Sequence, residues 1–477
     1  MIKREVLFKK MNIAYEKIIS KPEIVFIVLF SLFGLAFIFI VPPFQNPDEP
    51  MHFHRSYQLS TLNISSEPNE NGVYGGMIPV SILELVRDSE ISHNFDYGFR
   101  FHLDYTKLMS YKYGGEERFE GFPNTAIYTP IVYAPLIISH WLVSLLDAPI
   151  LATVYLGRIF SLLLVAIAVY FSIRLLPFGK WVLFAITLIP MFIASSVSMG
   201  ADAVTYAVSI LFVSLVLNLS FSKKKTSIKK IILLIGLVLA IGFIKQAHIP
   251  LLALLVLLPI FNSRFREKKV FILLGIAAAA SFAIFLLWYV RTSGITINFN
   301  SSIQPELQKD LILSNPVVFL KVMLATYLTN NANGFIIGMF GNFGWLTATL
   351  PMLFIIISAI IVIFSVGTTS KNEQRLEKIF KITKTKTWFG LITIGVFCIV
   401  IAIISAALYL YWTPYQFGSI LGIQGRYFLP ILPLLLLPFV TQNAKNNSSR
   451  SAVIIAGCVI VAFVAIMVTI GRFYTNS

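Results

Sequence analysis

Charge is scarce in this chain. Asp, Glu, Lys and Arg together make up 13% of its 477 residues, while hydrophobic residues make up 57%; an average soluble chain carries about 25% charged residues. That scarcity excludes a soluble enzyme and a disordered chain. Cysteine is nearly absent as well. Cys398 and Cys458 both lie inside apolar runs and offer neither a disulfide framework nor metal-ligand spacing. Internal repeats, heptad arrays and low-complexity tracts are missing too. What remains is a succession of long apolar runs. Only helices satisfy every backbone group across lipid over such runs, so the fold class is an all-α integral membrane protein.

The few charges are informative by position. Basic residues outnumber acidic ones, 38 to 22, but they sit in short clusters between apolar runs and do not form a nucleic-acid-binding face. Lys3, Arg4, Lys9, Lys10 and Lys17 precede the first apolar run, and no small-residue cleavage site follows it, so that run is an uncleaved helix. Basic clusters at 174–180, 223–230, 264–269, 371–386 and 445–450 mark cytoplasmic loops. Placing all of them inside predicts spans near 24–41, 149–172, 180–198, 202–221, 231–245, 248–262, 270–291, 350–367, 388–410, 426–441 and 451–471. The result is a single multi-pass domain of about eleven spans (ten to thirteen), with the N-terminus cytoplasmic. Residues 231–262 split at 245–248 into a hairpin, because both basic flanks belong inside. Residues 126–146 are apolar enough to span, but Tyr128, Pro130, Tyr133, Pro135, His140 and Trp141 suit an interfacial helix. Residues 316–345, broken by Asn330, Asn331 and Asn333, read as interfacial or re-entrant.

Two extracytoplasmic segments follow, 42–148 and 292–349. The stretch 42–125 holds 12 of the 22 acidic residues and 6 basic ones. A loop of that length in a compact protein is usually functional. It opens with Asn46-Pro47-Asp48-Glu49-Pro50-Met51-His52-Phe53-His54-Arg55. Asn46 is a good N-cap, Pro47 suits the first helical position, and Glu49 completes a capping-box-like pattern. Asp48, Glu49 and His52 then share a helix face. Acidic residues there can simply complement the helix dipole. They can also act as a base toward an acceptor hydroxyl. A third reading makes Asp48, Glu49, His52 and His54 ligands of a divalent ion, although no fixed metal signature supports it and no cofactor is firmly implied.

Ionisable residues within spans are expensive and are candidates for function by default. The topology gathers several at the outer ends: Asp147 and Arg158, Asp202, Lys245 and His248, Arg291, and Arg426 beside Gln424 and Tyr427. Cations collected there suit a phosphate or pyrophosphate. The structural alternatives are pairing of Arg158 with Asp147 or Asp202, and snorkelling of Lys245 and Arg291 to the interface.

Together these segments resemble a family of bacterial polytopic membrane proteins catalogued as a domain of unknown function and grouped with the GT-C glycosyltransferases. The resemblance rests on Pro47-Asp48-Glu49-Pro50-Met51-His52, Gly157-Arg158-Ile159-Phe160-Ser161, Pro190-Met191-Phe192 through Asp202, Gly344-Trp345-Leu346, and Gln424-Gly425-Arg426-Tyr427-Phe428-Leu429-Pro430. One departure is Met199-Gly200-Ala201-Asp202, where the family pattern has Asn-Pro-Asp: the acid is kept and the turn differs. The resemblance implies a sugar transferase using a polyprenyl-phosphate donor on the outer face of the cell membrane. Its acceptor would be an envelope polysaccharide, a teichoic-acid-like polymer or a glycolipid. It implies Asp48 as base with Glu49 or His52 orienting it, and Arg158, Lys245, His248, Arg291 and Arg426 as ligands of the donor phosphate. His54, Arg55, Asp202, Gln424 and Tyr427 are left as acceptor-binding or structural residues. The competing readings are a flippase or transporter of lipid-linked saccharides, a polymerase, and a non-enzymatic scaffold.

Overall fold

A computed structural model of the chain describes residues 21–475 apart from 94, 97, 223–225, 296–301, 329–331, 371–372, 374–382 and 442–446. The basic start at 3–17, Asn330, Asn331 and much of the clusters at 223–230, 371–386 and 445–450 lie outside the described residues.

The helices run α1 (Pro22–Ile40), α2 (Glu49–Ser60), α3 (Val80–Asp88), α4 (Ala134–Leu145), α5 (Leu151–Leu175), α6 (Lys180–Thr187), α7 (Pro190–Ser196), α8 (Asp202–Phe221), α9 (Ile228–Ile241), α10 (Lys268–Thr292), α11 (Pro305–Ser314), α12 (Pro316–Leu328), α13 (Ala332–Phe340), α14 (Met352–Ser365), α15 (Thr383–Tyr411) and α16 (Asn447–Tyr474). Among the described residues, six are long and apolar enough to cross a membrane: α1, α5, α8, α10, α15 and α16. They coincide with six of the spans expected from hydropathy. The protein is therefore a multi-pass, predominantly helical membrane protein.

The other five expected spans are shorter or interrupted, and proline explains most of the breaks. Residues 180–198 form α6 and α7, separated just before Pro190, where Ile189 is extended at ψ 130; proline lacks the N–H a continuous helix needs and disfavours helical geometry before it. Residues 248–262 form a 3-10 stretch, Gln246–Val256, with Pro250 inside it, followed by Leu257–Phe261. Residues 426–441 break into Gly425–Phe428, Leu432–Leu436 and Leu437–Phe439 around Pro430, Pro433 and Pro438. The helices α9 and α14 have 14 residues each, a rise of about 21 Å against a hydrocarbon layer of about 30 Å. Pro130–Tyr133 and α4 occupy 126–146, and α4 is 12 residues long. Pro305–Ser314 and Pro316–Leu328 meet at 107°, as a broken span or a re-entrant loop.

Packing grades from the centre outward. Helix α8 has 83% of its apolar window buried and lies among α5, α9 and α7, whereas α10 has 17% buried and forms the rim. At one end of the bundle the chain from 42 to 148 builds a cap. Its strands β1 (Glu67–Pro68), β2 (Tyr74–Pro79) and β3 (Glu117–Gly121) pair antiparallel with β2 central. The cap has its own apolar cluster, in which Phe44, Phe53, Ile78, Ile82, Leu85 and Phe122 pack onto Leu151 and Val154 of α5. The opposite end is tied by polar contacts between helix termini. Asn218 Nδ2 donates to the Leu175 carbonyl, Lys230 Nζ to Asn218 Oδ1, and Asn262 Nδ2 to the Leu219 carbonyl.

Candidate functional site

Asp48 and Glu49 are adjacent in sequence and separate in space at the start of α2. The sequence places the N-cap at Asn46; in the structure it is Asp48, held left-handed at φ 62, ψ 5, with no capping bond from its side chain. Asp is among the few non-glycine residues that visit this region, at a cost of about 1–2 kcal/mol. The turn aims Asp48 one way and Glu49 the other.

Glu49 is fully buried. It accepts hydrogen bonds from Asn46 Nδ2 (2.8 Å), the Asn46 amide (3.3 Å) and the Met199 amide (3.0 Å), and it pairs with Arg158 Nη2 at 2.9 Å. The Glu49-to-Asn46 half of the expected capping box is thus present, although Asn46 stands two residues before the observed N-cap. Arg158 also donates to the carbonyls of Ile38, Val41 and Pro42 at 2.7–3.1 Å, satisfying the C-terminus of α1, whose last carbonyls have no intrahelical donors. One ion pair therefore locks α1, α2, α5 and the 199–202 turn together. This corrects two expectations. Arg158 is not placed to hold a phosphate and does not pair with Asp147 or Asp202, and Glu49 does not sit beside Asp48 as an orienting group. Asp147 pairs instead with Lys112 at 2.5 Å.

Asp48 faces a cavity of ≈ 560 Å³ together with His52, Asn124, Tyr128, Gln424 and Tyr427. Asn124 Nδ2 donates to Asp48 Oδ1 at 3.1 Å. Burial lifts the Asp48 carboxyl above its ordinary value of 3.8; the Arg426 and Lys245 charges pull it back, and Asp202 adds to the rise. His52 lies one turn on, shares a 2.7 Å hydrogen bond with the Tyr133 hydroxyl and stacks on Tyr128. Burial, helped by Lys245, pushes its imidazole down to about 3, which leaves the ring neutral.

A second hollow of ≈ 200 Å³ shares Ile127, Tyr128, Ala407, Leu408 and Tyr427 with the first and adds Asp202, Lys245 and His248. Asp202 opens α8, Lys245 and His248 sit at the turn after α9, and Arg426 is brought in by the 3-10 turn Gly425–Phe428. Gly425 is required there, since any Cβ would collide with the α13 backbone at Phe335 and Met339. Lys245 Nζ bonds Asp202 Oδ1 at 2.5 Å, and Arg426 Nε lies 3.9 Å from Asp202 Oδ2. Lys245 stands 5.7 Å from the Tyr128 ring and 5.3 Å from the Tyr427 ring. Lys245 and Arg426 stand against two carboxylates, Asp202 and Asp48, so the set is balanced with Asp48 ionised and gains a net positive charge once Asp48 takes a proton. Such a set can hold an anion while an adjacent carboxylate takes a proton.

Residues 30–435 match the family described as predicted membrane protein, DUF2142. The chain belongs to the DUF2142 family. No curated protein and no solved structure matches it. Every cavity residue named above lies within the span of this DUF2142 chain that matches the family.

Several expected members of the site fall elsewhere. Arg291 donates to Ser65 Oγ and lines a separate cavity with Arg55. His54 is buried beside Phe122, its ring nitrogens without partners, and burial pushes it down to about 4. The metal reading of Asp48, Glu49, His52 and His54 is not met: among the described residues no group of three or more His, Cys, Asp or Glu could hold a metal ion. The sequence reading missed Asn124, Trp345 and Trp412, which also line the larger cavity. Trp345 carries a signal in hindsight, since it falls in one of the segments that resemble the family; Asn124 carries none.

Proposed function

We propose that this protein is a GT-C-like membrane glycosyltransferase. It moves a sugar from a polyprenyl-phosphate donor to a hydroxyl of an envelope polysaccharide, teichoic-acid-like polymer or glycolipid, at the extracytoplasmic face of the cell membrane. The observation that carries the reading is Asp48, a partly buried carboxylate with a raised pKa on a left-handed backbone, which lines an aromatic-walled cavity. Tyr128 and Tyr427 are shared with the adjoining hollow, where Lys245 stands over both rings and Arg426 lies against Tyr427, and both cations act on Asp48 through their charge. Strained residues cluster at functional sites, and perturbed carboxylates in clefts suit general-base work.

In this reading the acceptor oxygen attacks the anomeric carbon. Its proton passes to Asp48, the bond from anomeric carbon to phosphate oxygen breaks, and the phosphate leaves with the electron pair. Lys245 and Arg426 hold the charge that develops on it. Single displacement inverts the sugar carbon. Tyr128, Tyr427, Trp345 and Trp412 supply flat apolar walls for the sugar ring. The short and broken stretches 180–198, 231–245, 248–262, 350–367 and 426–441 complete eleven passes with a cytoplasmic N-terminus, which puts the cap and both hollows outside. The matching test is transfer from radiolabelled polyprenyl-phosphate sugars by the native chain and by Asp48→Asn at equal folded protein. Loss in the variant supports the base; native-level transfer in the variant removes it.

A further inference from the structure

Next to the larger cavity lies a third hollow, a basic one, that the transfer reading does not use. It measures ≈ 140 Å³ and is lined by Arg55, Ser65, Ser66, Tyr74, Trp288 and Arg291, among others. The two hollows stand back to back. Ala126 lines one, Ile127 the other, and Trp288 Nε1 donates to the Ile127 carbonyl at 2.8 Å between them.

Arg55 is the unusual member. It is fully buried, yet its guanidinium meets only neutral acceptors: the Gln58 amide oxygen, Ser66 Oγ at 3.1 Å and the Ile64 carbonyl at 2.9 Å. Its Nε has no partner. Arg291 is exposed and bonds Ser65 Oγ. Among the described residues neither guanidinium has a carboxylate within ion-pair distance. Two like charges face one hollow with no counter-ion, and a buried charge left unmatched is costly. The cost is met most directly by an anion with several acceptor oxygens, because guanidinium pairs phosphate in a bidentate fork. Serine hydroxyls and the Tyr74 side chain can serve the remaining oxygens.

Position narrows the ligand further. Arg291 sits in the last turn of the spanning helix α10, next to Leu287 and Val290, which are 73% and 68% exposed. The hollow thus opens where a lipid-facing helix ends.

We propose that Arg55, Arg291, Ser65 and Ser66 form a phosphate-binding subsite, separate from the Lys245–Arg426 pair, that takes the phosphate of an anionic lipid headgroup or a free phosphate ion. The site stands independently of the transfer reading, and its test needs no turnover. Binding of short-chain phosphatidylglycerol to the purified full chain is measured in zwitterionic detergent. Phosphatidylcholine serves as the control, and inorganic phosphate as the competitor. The native chain binds phosphatidylglycerol in preference to phosphatidylcholine, and Arg291→Gln weakens this about tenfold, about 1.4 kcal/mol. Arg291→Lys, which keeps the charge, restores part of it. Competition by millimolar phosphate identifies the bare ion as sufficient; absence of competition with the tenfold loss intact identifies the lipid headgroup. Equal binding by native and Arg291→Gln protein, or equal binding of the two lipids, overturns the proposal. Arg291 is exposed, so its variants test the site without disturbing the core; unfolding midpoints without ligand check this.

Discussion

Asp48 and Glu49 are one bond apart and live in opposite environments. Glu49 is sealed in a dry node where one guanidinium and three N–H groups satisfy it. Asp48 is partly buried in a cavity with, among the described residues, one side-chain donor and two cations at a distance. One carboxylate is saturated with donors and its neighbour is left short of them; in the proposed function the first serves structure and the second chemistry. A turn held at positive φ is what allows neighbouring side chains to diverge so sharply.

The largest effect comes from breaking the dry node. Glu49→Ala or Arg158→Ala leaves a buried partner unmatched and should cost about 3–5 kcal/mol. The prediction is sharply reduced folded protein, read by detergent-resistant monodispersity and unfolding midpoint. Next comes Asp48→Asn, which should cut transfer about 10²–10⁴-fold without loss of fold. Its unfolding midpoint at pH 7 should rise slightly. A carboxyl whose folded pKa is raised adds stability only below its unfolded value, and that contribution is lost as pH rises through the folded value, so at neutral pH the charge opposes folding. Third, Lys245→Met should lower transfer about 10²-fold by removing one of the two cations proposed to hold the leaving phosphate.

The pH profile sharpens the comparison at smaller amplitude. Transfer should fall on the acid side with a midpoint above 3.8, the ordinary value for Asp, because the base works only when ionised. Lys245→Met should push that midpoint higher still, since Lys245 favours the ionised form. The smallest expected effect is an absence: no inflection near 6.5 from His52, whose ring is already neutral there and titrates only at about 3. An inflection at that pH that disappears in His52→Gln would show the ring to be more solvated than the cavity walls allow.

Much of the architecture was legible in the sequence, because hydrophobic length decides it. The six long helices fall where apolar runs of sufficient length and flanking charge put them. The interrupted stretches were legible only as apolar runs; the breaks at Pro190, Pro250 and Pro433 needed the local geometry, since proline at the first position of a new helix and proline inside a continuing one look alike in the sequence. The site was half legible. Asp48 with His52, and Asp202 with Lys245 and Arg426, come together as the spacing and topology suggest. Arg158 and Arg291 do not join them. Nothing in the sequence tells that Arg158 meets Glu49, 109 residues away, or that Arg291 turns to Ser65 on the far side of residues 126–127. Pairing of a buried charge is decided by which helices touch, and a single sequence does not carry that.

One paired measurement tests whether the two adjacent carboxylates have separate work. Native protein, Asp48→Asn and Glu49→Gln are reconstituted at equal amounts, and each is assayed for unfolding midpoint and for sugar transfer from a polyprenyl-phosphate donor that the native chain uses. The expected result is an Asp48→Asn protein with an undiminished midpoint and transfer cut about 10²–10⁴-fold, and a Glu49→Gln protein with a lowered midpoint whose surviving folded fraction still transfers. A folded Asp48→Asn protein that transfers at the native rate would contradict it.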